Sequence, residues 1–374
     1  MTRNVRSHHY RRDGTIARSL RPPKAILLPF STGTFARTSS GTYMTAARTL
    51  VTAGNNVLRI EDRGDGNGAH ALFEGAATNL NRYRKPSDFS NKNAVVINSL
   101  AGTSLLDERT QDTVEFGQAS PNHQIFDNPG LTYTAEAHTG SIWVKVLSGT
   151  NSSQNFARNL SNETGTILAT DSPSDWEYKT ATATFAGTEG LGQLVRDNAA
   201  ETKTWIWDCH QLETGEYATS YIDVSGAQAS RVADSLTFAS GVYPVDLVSG
   251  IWEWDVFPYF SQAELAAGGV AVLASFGGAN DVLQYDGDAN AFEIVTSGTR
   301  RGITSALTFS RHQKLTLKQD WINRELTISG ATTGNGTVSL SSSDEWPSNV
   351  TLRIGGEQGG ANEESVRLSE PRAA

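Results

Sequence analysis

The stretch SGIWEWDVFPYFS, Ser249 to Ser261, sets Trp252, Trp254 and Val256 at alternate positions with Glu253 and Asp255 between them. In an extended strand successive side chains point to opposite faces. The two tryptophans and the valine therefore share one face, and the two carboxylates share the other. An apolar face backed by a polar one is the pattern of a strand that packs one side on a core. Two carboxylates about 7 Å apart on one strand face also approach the spacing used to cleave glycosides, about 5–5.5 Å for retention and about 6.5–9.5 Å for inversion. Two readings follow: a catalytic strand, or a sandwich strand whose tryptophans build the core. Pro258 closes the strand in either case, because proline lacks the N–H that a sheet interior needs.

Short alternating runs between clusters of Gly, Asn, Asp and Ser recur along the 374-residue chain, which contains 35 glycines. That is the signature of an all-β protein. With 19% charged and 38% hydrophobic residues the composition is that of a folded chain, and its length predicts two or three domains. Strands are expected at Thr113–Gln118, Ser141–Leu147, Trp176–Ala186, Leu191–Arg196 and Thr204–Glu213. A second set is expected at Leu236–Phe238, Gly250–Pro258, Val270–Phe276, Val282–Tyr285, Ala291–Thr296, His312–Gln319, Arg324–Gly330, Thr337–Ser341 and Val350–Ile354. Ser261–Ala267 is the nearest thing to a helix, one or two turns at most. Strands spaced by polar turns in this way fit sandwiches or jelly rolls, in which two sheets pack face to face. The expected architecture is two jelly-roll or β-sandwich domains in tandem after an extended N-terminal arm. The boundaries read as a basic arm and Pro-rich connector at 1–34, a β-rich linker segment at 35–85, a jelly roll at 86–234 and a second sandwich at 235–374.

The net charge of −9 hides an asymmetry: residues 1–24 hold seven Lys and Arg against one Asp, +6, which leaves −15 on the remainder. A basic arm on an acidic body points to an anchor that docks on an acidic partner surface. Nucleic acid is not the expected partner, because Tyr10 is the one aromatic among the arm's charges. Cys209 is the single cysteine, so no intrachain disulfide forms and a buried thiol is expected. No apolar run approaches the ~20 residues of a membrane-spanning helix, and the start of the chain lacks the apolar core of a secretory signal. Synthesis in a reducing cytoplasm without membrane insertion is expected.

Three stretches resemble known proteins. From Phe35 to Leu80, the residues Phe35, Arg37, Ser39, Thr42, Tyr43, Asn56, Arg59, Leu72, Glu74, Thr78, Asn79 and Leu80 match a segment that recurs in phage structural proteins. Ile60 departs from that pattern, which often has Pro there. Next, Ser87-Asp88-Phe89-Ser90, Ser141 to Lys145, Trp176, Trp207, Gln211-Leu212-Glu213-x-Gly215, Ala218 to Ile222 and Arg231-x-Ala233-Asp234 are similar to the carbohydrate-binding-module-like jelly roll that follows this segment. Asp208-Cys209 replaces the Gly-Ala usual after the last Trp. From Gly250 onward the chain resembles a concanavalin- or laminin-G-like sandwich, through more diffuse motifs. The resemblance implies a virion surface protein of a tailed phage or gene transfer agent: a head spike, capsid decoration protein or tail fibre. It would attach to capsid or tail protein through the arm, form a homo-oligomer and face host cell-surface polysaccharide.

The laminarinase-type sandwich enzymes carry Glu-x-Asp-x-Glu or Glu-x-Asp-x-x-Glu, with both glutamates essential. Phe257 and Pro258 stand where the second glutamate would be, so Glu253 and Asp255 are expected as an exposed acidic strand face and the chain is expected not to be an enzyme. A depolymerase or glycosidase and a purely structural decoration protein are the competing readings. No Gly-x-Ser-x-Gly elbow, His-Glu-x-x-His pair or phosphate loop occurs. The histidines are scattered, and zinc is not expected. Arg63-Gly64-Asp65 reads as a turn rather than an adhesion motif. Likeness to jelly-roll carbohydrate modules implies a structural Ca²⁺, for which Asp88 and Asp208 are the candidate ligands and Asp286–Asn290 a second oxygen-rich turn. Glycan binding needs an exposed aromatic face beside polar groups. Alternation turns Ile142, Val144 and Val146 inward and Trp143 and Lys145 outward. In the same way Ala181, Ala183 and Phe185 fit the core, and Trp176 and Tyr178 turn to the other face. Trp143, Lys145 and Tyr178 are the candidate binding set; the competing reading packs these aromatics against a neighbouring domain or subunit.

Overall fold

The computed structural model describes residues 30–373 except 90, 94, 107–109, 117–122, 128–131, 134–136, 150–153, 160–165, 168–175, 185–188, 198–202, 241–249, 266–268, 279, 303–305, 342–349, 356–365 and 369–371. Most of the arm thus lies outside the described residues. The chain is all-β, as its alternation predicts; helical backbone among the described residues is limited to the 3-10 turns Phe30–Thr32 and Pro86–Asp88. Ser261–Ala267, expected as a short helix, contains a turn over 262–265 instead. There Ser261 donates from its backbone and hydroxyl to Glu264, which Arg311 clamps with three hydrogen bonds.

In the jelly roll a five-stranded sheet runs in the order Glu177–Thr184, Ala137–Ser148, Lys203–Thr214, Thr110–Phe116, Val95–Thr103. Its inner face carries Ile142, Val144 and Val146, which alternation selects, together with Trp205, Trp207 and Val114 against Phe89. A second sheet is built on Glu189–Asp197, flanked by Gln154–Asn159 and His123–Asp127. In the C-terminal sandwich, Ile251–Pro258 lies inside an eight-stranded sheet, between Leu315–Asp320 and the short strands Val366–Leu368 and Arg372–Ala373. Trp252, Trp254 and Val256 are fully buried in one cluster with Leu273, Phe276, Tyr285, Phe292 and Ile294 of the opposing seven-stranded sheet. The indole N–H of Trp254 is satisfied by Gln319 Oε1 at 2.8 Å.

Segment 35–85, read as a linker, is woven into both modules. Thr34–Ala36 pairs with Ser235–Phe238 at the edge of the seven-stranded sheet. Arg59–Glu61 and His70–Phe73 extend the eight-stranded sheet beside Val366–Leu368. Ala77–Asn79 pairs with Ala229–Arg231. The hairpin Gly41–Met44/Leu50–Ala53 lies against the jelly roll, where Leu50 N donates to Leu105 O at 3.0 Å. Alternation predicts that strands form; it does not say which sheet a short strand joins.

What draws these pieces together is a buried ionic cluster. Arg59 ion-pairs with both Glu74 and Asp234, Arg37 with Asp234 at 3.1 Å, and Arg231 with Glu74 at 3.2 Å; every one of these side chains is 0% exposed. Three guanidiniums meet two carboxylates, and backbone carbonyls take the surplus donors: Gly54 O at 2.9 Å from Arg37, Thr42 O at 3.0 Å from Arg59 and Gly75 O at 3.1 Å from Arg231. Burial alone would raise the Glu74 pKa, but Arg231, Arg59 and hydrogen bonds from Ser220 outweigh it and bring it down from 4.5 to about 2.

Removing one partner of such a cluster strands the others in a dry interior. Arg59→Met is expected to cost about 3–5 kcal/mol in urea denaturation at neutral pH; a loss below about 1 kcal/mol, as for a surface pair, would show that the cluster is not what holds the segment. An unfolded glutamate takes up its proton near pH 4.5, whereas folded Glu74 stays ionised down to about 2. Its contribution is therefore complete above pH 4.5 and lost as pH falls toward 2, so Glu74→Gln should flatten acid destabilisation in that window.

Candidate functional site

The outer face of the five-stranded jelly-roll sheet carries the residues that alternation turns outward, and the structure divides them. Trp143 is only 9% exposed. It sits in a cluster with Leu105, Leu106, Cys209, Tyr221 and the hairpin residues Met44 and Leu50. Its ring lies 5.0 Å from that of Tyr178, its cross-strand neighbour. Tyr178 borders a narrow cavity of about 30 Å³ shared with Glu61, Arg63 and Tyr259. Burial pushes the Tyr178 phenol up, against the pull of Arg311. Both aromatics are thus packing residues and not an exposed sugar platform. The physical reason is that a segment nearly a hundred residues earlier lies over the face they occupy. Ala181, Ala183 and Phe185 have side chains outside the described residues.

Lys145 does face outward. With Leu147, which is exposed, it lines an open groove of about 530 Å³. Ile206, its register partner on the next strand, lines the same groove. Trp176, just before the strand Glu177–Thr184, packs on the Trp143 cluster and borders the groove. Arg48 enters from the hairpin turn, which is closed by Arg48 N donating to Thr45 O at 2.8 Å and Thr45 N to Thr49 O at 3.0 Å. Gly102 lies close on the sheet side: a Cβ there would come within 2.3 Å of Ile206 Cδ1, which would have to swing aside. The groove therefore brings together an indole, two cations and the hydroxyl residues Thr49, Thr103 and Ser104. Trp176 was legible as outward-turned. Arg48 was not, because no sequence pattern sets its hairpin beside this sheet.

The two candidate calcium ligands are not brought together. Asp208 is fully buried, and protein donors surround its carboxylate: the Ser104 hydroxyl, Leu105 N at 2.8 Å, Gln111 Nε2 at 3.0 Å and Cys209 N at 2.8 Å. It fastens the 104–106 turn that borders the groove. Asp88 is exposed and lines a different cavity, of about 520 Å³, beside Arg84, Lys85 and Asp223. In the turn after Val282–Asp286, Asp286 accepts Ala289 N at 2.9 Å and pairs with Arg300 at 2.5 Å, and Asn290 accepts the Tyr285 hydroxyl at 2.7 Å. Among the described residues no three His, Cys, Asp or Glu side chains form a metal-binding group. Burial holds His210 neutral, with its pKa down to about 3.

Asp255, expected on an exposed face, is buried and occupied: Lys314 pairs with it at 3.1 Å and the Thr316 hydroxyl donates to it at 2.9 Å. Glu253 lies in register with Lys318 and Arg372. Arg63 of Arg63-Gly64-Asp65 pairs with Glu61 at 3.4 Å and lies over the Tyr259 ring, so it serves the junction between modules.

No family model and no curated protein sequence matches the chain. Solved structures align over much of its length at low similarity. The CBM22-1-CBM22-2 tandem domain of Paenibacillus barcinonensis Xyn10C is 11% identical, over 82% of this chain and 100% of that one, with a TM-score of 0.28. Truncated AlyQ, with CBM32 and alginate lyase domains, is 11% identical over 78% of this chain and 98% of that one, at 0.23. Domains LG4-5 of the mouse laminin alpha1 chain are 10% identical over 69% and 88%, at 0.22. Scores this low carry no argument; the all-β fold rests on the chain's own strand pairings.

Trp143→Ala is expected to cost about 3–5 kcal/mol, as for a buried aromatic, and Trp176→Ala, which is half-buried, clearly less. Asp208→Ala should lose at least the ~1–3 kcal/mol of one orphaned buried donor, and thermal unfolding of the wild type should not shift with Ca²⁺ or a chelator. A Ca²⁺-dependent rise in Tm that Asp208→Ala abolishes would restore the metal assignment.

Proposed function

We infer that this chain is a glycan-binding surface protein of a virion or gene-transfer-agent particle, and not an enzyme. The observation that carries the glycan reading is the groove, where Trp176, Lys145 and Arg48 converge on an open sheet face. A pyranose lays its C–H face on an aromatic ring while its hydroxyls take hydrogen bonds from polar groups around it, and the groove supplies both kinds of partner. The other two large cavities suit a sugar less well. One, of about 440 Å³ on the C-terminal sandwich, has no aromatic lining residue among those described. In the other, the Tyr83 ring already meets Arg82 at 5.1 Å and Phe89 at 6.2 Å.

The particle assignment rests on the resemblance of segments 35–80 and 87–234 to phage structural proteins and on the basic arm. In this reading the protein is made in the host cytoplasm, docks on capsid or tail protein through residues 1–24, assembles as a homo-oligomer and presents its sandwiches to host cell-surface polysaccharide. The engagement of Asp255 by Lys314 and Thr316 supports a non-catalytic role for the strand that carries Glu253.

Purified protein is expected to bind host-cell polysaccharide, and Trp176→Ala to weaken binding about tenfold or more, the loss of one stacking contact, while the protein stays folded with a lowered Tm. Unchanged binding by Trp176→Ala would move the site elsewhere. Release of reducing ends from the polysaccharide, lost in Glu253→Gln, would overturn the non-enzymatic reading. Deleting residues 1–24 should abolish particle incorporation while the folded body keeps its Tm.

A further inference from the structure

The turn from Arg63 to Gly68 contains Asn67-Gly68, one of two Asn-Gly dipeptides in the chain; the other is Asn335-Gly336. An asparagine followed by glycine can react with itself. The glycine nitrogen can swing onto the side-chain amide carbon, because no Cβ crowds it and its dihedrals are the least restricted. Local structure decides whether that happens, and here it sets the two dipeptides apart.

Asn335 is pinned. Its Nδ2 donates to Ala331 O at 2.8 Å and its Oδ1 accepts from Ala331 N at 2.9 Å. Gly336 opens the strand Gly336–Ser339, in register with Ile328. Asn67 is held only by its backbone: its N–H donates to Asp65 Oδ1 at 3.0 Å, and its carbonyl oxygen lies 2.8 Å from His70 Nε2. Its side chain is exposed, and its amide has no hydrogen-bond partner among the described residues. Gly68 sits at φ +84° with nothing within 4 Å of where a Cβ would be.

His70 adds a chemical push. A carbonyl oxygen carries no proton, so His70 Nε2 is the donor. The carbonyl it meets belongs to the Asn67–Gly68 peptide itself. When Gly68 N gives up its proton, negative charge spreads onto Asn67 O, where the His70 N–H stabilises it. Stacking on Phe257, with centroids 4.4 Å apart and planes 22° from parallel, holds the ring there.

We propose that Asn67 is a self-modification site at which the amide is converted to aspartate and isoaspartate, with His70 as the accelerating donor. Gly68 N loses its proton to water and attacks Asn67 Cγ. The N–Cγ bond forms, the Cγ–Nδ2 bond breaks, and Nδ2 takes up a proton and leaves as ammonia. Water then opens the cyclic imide. Opening at Cγ gives aspartate; opening at the backbone carbonyl carbon gives isoaspartate, whose main chain is one carbon longer. Either product adds a negative charge to the turn that carries Arg63, which pairs with Glu61 and lies over the Tyr259 ring.

The test incubates the full-length protein in warm neutral buffer and follows it by peptide mapping, in which exchange of amide for carboxylate reads as a gain of about 1 Da. The Asn67 peptide is expected to convert about tenfold faster than the Asn335 peptide or more, since two hydrogen bonds must break first at Asn335. In urea-unfolded protein the two rates should converge. An unconverted Asn67 peptide, equal conversion of both sites in the folded protein, or a gap that persists in urea would overturn the proposal. His70→Phe keeps a ring against Phe257 and removes the donor; it should slow conversion about two- to tenfold, the worth of one hydrogen bond. His70→Gln, which retains an N–H donor, should recover part of the rate. Equal or faster conversion in His70→Phe would overturn the part assigned to His70.

Discussion

Arg59 reaches from the strand Arg59–Glu61 into a dry interior and pairs there with Glu74 and Asp234, neither of which has another route to water. Through Glu74 it is tied to Ser220 and Arg231 of the jelly roll, and through Asp234 to Arg37. Segments from four parts of the chain meet at one set of charges. A buried charge without its partner is several kcal/mol out of balance, so the cluster forms whole or leaves a heavy penalty. Whether it adds net stability over an apolar packing is a separate matter. What it does is tie the arrangement together, since this disposition of the segments pairs all five groups.

The groove depends on that arrangement at one remove. The hairpin that carries Arg48 continues directly into the strand that carries Arg59, and Gly41, at its start, packs on the side chains of Arg59 and Arg231. Thr42 anchors it again by donating to Tyr221 O at 2.7 Å. Met44 and Leu50 then cover Trp143, and the turn between them sets Arg48 beside Lys145 and Trp176. Fixing the hairpin therefore does two things: it closes the sheet face over Trp143 and opens a walled groove next to it.

Much of the fold was legible because it follows from local chemistry. Alternation in IWEWDVFP fixed which residues of Ile251–Pro258 turn inward, and the same rule sorted Ile142, Val144 and Val146 from Trp143 and Lys145. Strands that lack a clean apolar face, such as Val95–Thr103 and Gln154–Asn159, escaped the pattern. The site was half legible. Lys145 was correctly turned outward, but an outward side chain is not an exposed one. Trp143 points away from its own module's core and is buried all the same, because residues 44–50 lie over it. That covering is a long-range event with no local signature, and the same event brings Arg48 to the groove.

The residues that stand out in the sequence of segments 35–80 and 87–234 gain a physical meaning from this geometry. Arg37, Arg59, Glu74, Arg231 and Asp234 are the ionic cluster itself. Asn56 accepts Arg37 N, Ser39 accepts Val232 N, and Asn79 donates to Ile222 O. Glu213 accepts Thr219 N within the same junction. The motif thus encodes how a woven segment joins two β-modules. Arg48, Lys145 and Trp176 lie outside the ionic cluster, although Trp176 packs on the Trp143 cluster that the hairpin covers. The ionic cluster and the groove therefore draw on different charged side chains. The charged residues of this segment build the architecture, and the character of the groove rests on the few side chains that the architecture leaves facing it.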